Sequence, residues 1–180
     1  PSVDSDNLAG AQQAVDHLLG LGHRRIGFLA GRPDLLSAQR REQGYRRALA
    51  AAGVAVDDSI LRVGGFRAET AAGPARELLD RPDRPTAVFA ANDLTAIKTM
   101  EVAAELGLSV PGDLSVIGFD DVPEASRPAT PLTTIAQPLR RMGEQAMEML
   151  LALLRGEELA ARHLTLATHL VVRSSTAAPR

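Results

Sequence analysis

At 180 residues and 45% hydrophobic content, the chain is long enough for one domain or two small lobes around a real core. A net charge of −2, with no basic cluster larger than Arg40-Arg41 or Arg46-Arg47, argues against nucleic-acid binding by these residues alone. The lack of cysteine excludes a disulfide framework and thiolate metal sites, and no apolar run reaches the roughly 18 residues a membrane span requires.

Only 3% of the residues are aromatic, so the core is expected to consist of Leu, Val, Ile and Ala. The opening PSVDSDN reads as a chain entering mid-fold, without a signal peptide. Asp6 or Asn7 can cap a helix whose apolar face is Leu8, Ala11, Val15, Leu18 and Leu19, ended by Gly20 and Gly22. Ile26, Phe28 and Leu29 form a buried strand with Gly31 as its exit turn. Ser37 begins a second helix, with Tyr45, Ala48, Leu49 and Ala52 as its apolar face. Ile60 to Val63 is a short strand, followed by Gly64, Gly65 and Phe66.

A third helix is expected from Thr70 to Asp80, either starting near Gly73 or kinked there by Pro74. Thr86 to Ala90 is a strand ending at Asn92 and Asp93. Asp93 can cap a helix running through Ile97, Met100, Ala104 and Leu106. The segment LSVIGFDD, Leu114 to Asp121, is a short apolar run closed by Gly118 and two carboxylates, as in a strand buried on both faces. LTTI is a further extended piece. Gln137-Pro138 starts a long helix through Met142, Ala146, Met149, Leu150 and Leu153, and His163 to Val172 is a final strand. Strands alternating with helices of ten residues or more predict an α/β fold with a parallel sheet flanked by helices.

No motif for nucleotide chemistry is present. G-x-G-x-x-G and G-x-S-x-G are absent, and Lys98-Thr99 lies in mid-helix with no glycine before it. The four histidines lack zinc spacing, so neither metal nor cofactor is expected. Asp120 and Asp121 could serve as an acid–base pair, but no third group that would separate their pKa values can be named; they could equally cap a turn.

The strand ends do supply polar groups. Arg41 lies in the first turn of its helix, Phe66 follows the second strand, Asn92 the third and Asp120 the fourth. Gln137 sits at a later crossover. In a parallel sheet these positions converge on one edge, where open sheets bind ligands. Arg and Asp grip hydroxyls or a polar heterocycle through charge-assisted hydrogen bonds, Asn and Gln both donate and accept, and Phe66 offers a flat apolar face. Each residue also has an ordinary structural reading: an ion pair for Arg41, core packing for Phe66, a turn for Asn92.

GHRRIGFLAG, R-x-x-G-Y at Arg41 to Tyr45, AAND at Ala90 to Asp93, VPGDLSVIGFDD and LTTIAQP occur in this order. As a set they resemble the effector-binding region of the lactose-repressor/galactose-repressor (LacI/GalR) family of bacterial transcription regulators, over about residues 3 to 173. The resemblance implies a periplasmic-binding-protein-like fold of two α/β lobes with a ligand in the cleft. It assigns residues 1–22 to the last segment of the N-terminal lobe and 23–136 to the C-terminal effector-binding lobe. Residues 137–162 would be a helix returning to the N-terminal lobe, and 163–180 the final strand of the C-terminal lobe and the tail.

It further implies a truncated chain of a cytoplasmic, homodimeric protein that senses a small-molecule effector. Arg41, Asn92, Asp120, Phe66 and, at the crossover, Gln137 match the family's ligand contacts, whereas Asp93 and Asp121 match structural positions. The effector would be a sugar or sugar derivative, although a purine would use similar groups. Operator DNA would be contacted only through a headpiece absent from these residues. Lys98 stands where the family usually has glycine, in a helix that with Val122 to Pro128 resembles the family's dimer interface. A transport-type sugar-binding protein with no DNA role is the alternative.

Overall fold

The computed structural model describes residues 1–180. Its elements run β1 (Ser2–Ser5), α1 (Asn7–Gly20), β2 (Ile26–Ala30), α2 (Leu36–Ala51), β3 (Leu61–Val63), α3 (Ala68–Leu79), β4 (Ala87–Ala90), α4 (Asp93–Glu105), β5 (Ser115–Asp120), β6 (Thr133–Ala136), α5 (Leu139–Leu154), β7 (His163–Leu166) and β8 (His169–Val171). Six strands form one sheet in the order β3-β2-β4-β5-β6-β8. Its pairings are parallel up to β6, and β8 joins antiparallel at the edge. All five parallel strands therefore end on the same edge of the sheet.

Side chains alternate between two faces. Phe28, Phe89, Ile117 and Phe119 face α1 and α2, while Leu29, Val88 and Val116 face α3 and α4. The few aromatic residues are not marginal, as composition suggested. Tyr45, Phe28, Phe89 and Phe119 are all fully buried on the α1/α2 side, with Phe28 stacked on Tyr45 at 4.9 Å and on Phe89 at 5.2 Å. The opposite side is aliphatic, as expected. Tyr45 Oη donates to the Ile26 carbonyl at 2.8 Å, and burial pushes its pKa up to about 12.

Asp6 caps α1 by accepting from the Ala9 amide. Residues 1–22 do not form one unit. Ala11, Ala14, Val15 and Leu18 of α1 pack into the core of the large sheet, and only β1 stands outside it. Residues 163–172 are two strands rather than one. β7 pairs with β1 in a separate two-stranded sheet, and β8 pairs with β6. The break falls at Ala167-Thr168, where alternation of apolar residues continues but the chain changes sheets. Together β1, β7 and α5 form a small unit. Met149 is the one buried residue of α5, and Leu139, Met147, Leu150, Leu151, Leu153 and Leu154 stay exposed.

Three further differences are local. α3 begins at Ala68 and continues through Pro74, so it does not start at Gly73. Ala52 is the exposed C-cap of α2 and not part of its buried face. In α4 the residues turned to the sheet are Ala96, Thr99, Val102 and Ala103, whereas Ile97 and Met100 are only partly covered and Ala104 is exposed. The helix carries apolar residues on two faces, and periodicity cannot say which one meets the sheet.

α1 and α2 pack closely at Gly44, where an added Cβ would lie 2.4 Å from the Leu8 carbonyl oxygen and 2.7 Å from the Ala11 Cβ. Alanine gains up to about 1 kcal/mol of helix propensity over glycine. The clash is with backbone, which cannot swing away, so overpacking should win. Gly44→Ala is expected to lower unfolding stability by about 1–3 kcal/mol in urea denaturation; equal or greater stability would show that these helices can separate at little cost.

Candidate functional site

The site lies along the edge where the parallel strands end. α2 begins at Leu36, one residue before the expected start, so Arg41 lies in its second turn and not its first. From there its side chain runs beneath the rim. Arg41 Nε donates to Asn7 Oδ1 at 2.8 Å, Nη1 donates to the Ala91 carbonyl and to Asp120 Oδ1 at 3.3 Å. The guanidinium carbon sits 3.7 Å from the centroid of Phe119 and 5.7 Å from that of Phe66. Burial pulls the Arg41 pKa down, opposed chiefly by Asp120. The residue expected to face a ligand is thus 5% exposed and also ties α1, α2, β4 and β5 together.

Asp120 closes β5 with φ at 119°, and Asp121 follows at φ 60°. Asp is one of the residues that tolerates such backbone, which accounts for carboxylates at this corner. Asp120 Oδ1 also accepts from Gln137 Nε2 at 2.6 Å. Burial raises its pKa, and Arg41 and Gln137 act against the rise. Asp120 Oδ2 and Arg41 Nη2 make no hydrogen bond within the chain, and neither is fully buried, so each keeps some access to solvent. An acceptor and a donor therefore stand side by side at the rim.

Asn92, not Asp93, is the N-cap of α4. Its Oδ1 accepts from the Thr95 amide at 3.0 Å, and Nδ2 donates to the Phe66 carbonyl at 3.0 Å. The latter bond fixes the loop that carries Phe66. The Phe66 ring lies over Gly31, where a Cβ would meet it at 2.2 Å. Gln137 has both ends of its amide engaged, Oε1 accepting from Ser5 Oγ at 2.7 Å. The five candidate residues therefore form one connected surface. Asp121 stands apart, paired with Arg173 at 2.6 Å, so the two neighbouring carboxylates do not work as a pair.

Two residues in this network, Ser5 and Asn7, were not expected there. Asn7 was visible only as a possible cap. It is in fact buried, accepting from Arg41 and donating to Asp4 Oδ1 at 3.1 Å and to the Ser5 carbonyl at 3.0 Å. The available signal was an amide at the start of a helix where Asp6 already supplied the cap.

Asp93 begins α4 beneath the rim, fully buried. Its carboxylate accepts from Thr134 Oγ1 and from the Val122 amide at 2.9 Å. Burial raises its pKa to about 7, with the nearby Asp120 and Asp121 charges adding to the rise and the two hydrogen bonds opposing it.

With that geometry in place, comparison with known proteins is informative. The model of the periplasmic binding protein-like domain family matches residues 15–176. The chain belongs to this family. Its relatives are LacI-type transcription regulators. It is 40% identical over 173 residues to the HTH-type transcriptional regulator CelR of Thermobifida fusca, covering 96% of this chain and 51% of that protein. The structure of a CelR–cellobiose complex superposes with a TM-score of 0.92 at 40% identity, over 96% of this chain and 53% of that one. A dimeric Lac repressor with an 11-residue C-terminal deletion gives a TM-score of 0.92 at 33% identity, over 99% of this chain and 65% of that one. The chain spans about half the length of the curated relatives it matches.

Because the folded state favours protonated Asp93, stability falls as pH rises from the ordinary carboxylate value of 3.8 through about 7, where the group ionises in place. Asparagine can accept from Val122 and donate to Thr134 without charge. Relative to wild type, Asp93→Asn should gain stability as pH is raised from about 4 to about 7 and then level off. Denaturant titrations across this range check the sign; a difference that does not change with pH would mean Asp93 is ionised throughout.

Proposed function

We propose that this chain is the effector-sensing part of a DNA-binding transcription regulator, and that a sugar-like solute binds at the rim formed by Arg41, Phe66, Asn92 and Asp120. The observation that supports this most is the open donor and acceptor pair, Arg41 Nη2 and Asp120 Oδ2, beside the Phe66 ring. Such a pair suits adjacent hydroxyls on a ring with one apolar face. The relatives' identity as regulators, and the cellobiose in the CelR complex, favour this reading over a transport protein. The mechanism is a population shift. A solute that binds one arrangement of the two lobes better draws the protein toward it, by no more than its differential affinity. DNA contact belongs to parts outside these residues. No helix here is long and apolar enough to cross a membrane.

Asp120→Ala in the full-length regulator is the direct test. It removes the open acceptor while leaving Arg41 bonded to Asn7 and Ala91. Both this change and Arg41→Ala break the buried ion pair, at about 3–5 kcal/mol of stability, but Arg41→Ala also removes the bonds to Asn7 and Ala91 and is the less selective variant. Calorimetry with cellobiose, other disaccharides and purine nucleosides as probes should find a ligand for wild type. Asp120→Ala should weaken that ligand by at least about tenfold, the worth of one charge-assisted hydrogen bond. Wild-type affinity in Asp120→Ala would remove the site from this rim, and a purine nucleoside as the only binder would replace the sugar.

We further propose a second copy of the chain against α4. Leu94, Ile97, Met100 and Ala104 on that helix, with Val110 and Pro128, line an open groove of about 780 Å³ on the face away from the sheet. Lys98 lies in the same groove, paired to Glu101, so its charge is partly answered before any partner arrives. The dimeric Lac repressor supports this occupant. Ile97→Asp should leave the full-length regulator folded but monomeric in sedimentation velocity; an intact dimer would place the contact elsewhere.

A further inference from the structure

The chain passes between the small β1/β7/α5 unit and the six-stranded sheet three times, at Asp6, at Gln137-Pro138 and at Ala167-Thr168. The first two passages are joined to each other directly, and the residue at the second is joined in turn to the Asp120 carboxylate. Ser5 Oγ donates to Gln137 Oε1 at 2.7 Å, and Gln137 Nε2 donates to Asp120 Oδ1 at 2.6 Å. The same Oδ1 accepts from Arg41, whose Nε donates to Asn7 Oδ1, and Asn7 Nδ2 returns to the Ser5 carbonyl at 3.0 Å. The loop of bonds is closed. It contains one residue from each side of the first passage, the residue at the second, and the Arg41–Asp120 pair.

Both Ser5 and Asn7 are buried, so these bonds do not compete freely with water. The backbone adds a further tie, from the Gln137 amide to the Asp120 carbonyl at 3.3 Å. The third passage lies outside the ring. Thr168 Oγ1 donates to the Asp6 carbonyl at 3.4 Å, and the Asp6 amide donates to the Leu166 carbonyl at 2.8 Å, but neither bond reaches Asp120 or Gln137.

We propose that Ser5 and Gln137 are positioning residues that lock the two strand-to-helix passages to Asp120, so that a solute pulling on Asp120 changes the angle between the lobes. Gln137 is then a transmitter and not a ligand contact, since both ends of its amide are already engaged. Any displacement of Asp120 Oδ1 must either carry the Gln137 side chain with it or break a bond to it. The Gln137 side chain in turn bears on Ser5, at the end of β1. This deepens the effector-site reading and takes its meaning from it.

The test uses the full-length regulator without effector. The 180 residues hold no cysteine; with any cysteine elsewhere in the regulator replaced by serine, Arg47→Cys on α2 and Arg141→Cys on α5, both at exposed positions, place one spin label on each unit. Labelled subunits are diluted with unlabelled ones, and pulsed electron resonance reads the distance distribution between the units. Ser5→Ala and Gln137→Leu should each widen it, by about twofold, and the double variant should widen it no further, because either change opens the same ring. Ser5→Thr, which keeps the hydroxyl, should retain the wild-type width. Thr168→Val, which removes the bond from the third passage to Asp6 but leaves the ring intact, should do so too.

A wild-type width in Ser5→Ala, additive widening in the double variant, or equal widening from Thr168→Val would each overturn the proposal. Circular dichroism of each variant confirms that the helices are retained, and Gln137→Leu provides the reading if Ser5→Ala does not fold. Because no solute is present, failure of sugar binding would refute the sugar reading and leave this result standing.

Discussion

The arrangement rests on one buried cation. The Arg41 guanidinium lies flat against Phe119 with almost no exposure, a placement that costs several kcal/mol in desolvation unless its hydrogen bonds are answered. They are answered by three different parts of the chain: Asn7 at the start of α1, the Ala91 carbonyl beyond β4, and Asp120 at the end of β5, where the ring of Phe119 also lies against the cation. A group so confined cannot shift without disturbing those partners. It therefore sets the relative positions of α1, α2, β4 and β5 at the rim.

That confinement is useful for binding. A flexible exposed arginine would lose rotamer freedom on meeting a solute, whereas this one is fixed beforehand. Its remaining donor and the remaining acceptor of Asp120 are presented in a geometry decided by the fold. The positive φ at Asp120 and Asp121 turns the chain at the strand end, with one carboxylate going to Arg41 and the next to Arg173. Adjacent acids thereby acquire separate tasks. Asn92 similarly serves two: it caps α4 and holds the Phe66 loop.

The sequence revealed the strands more reliably than the packing of the helices. LSVIGFDD, GHRRIGFLAG and TAVFA are short apolar runs closed by turn residues, and each became a parallel strand; Asp120 ends the first and Asn92 follows the last, while Arg41 comes only in the helix after β2. Convergence at one edge followed from parallel order alone. The bonds beneath that edge did not. Ser5 and Asn7 lie more than thirty residues from Arg41 and over a hundred from Gln137, and nothing local marks a buried serine or asparagine as a partner. Which face of α4 meets the sheet was not legible, because two apolar stripes compete on it. The division of residues 163–172 into β7 and β8 was invisible because both strands alternate in the same way.

By itself, the sequence determined an α/β chain of parallel strands, the residues at their ends, and a family likeness through spaced motifs. These are consequences of local backbone preference and of hydrophobic periodicity, which are written within a few neighbouring positions. Only the tertiary structure decided that Arg41 is buried rather than free, that Asn92 and not Asp93 caps α4, and that Asp120 is tied to both passages between the units. Those outcomes depend on which distant groups exclude water from one another, and burial of that kind is a property of the folded whole.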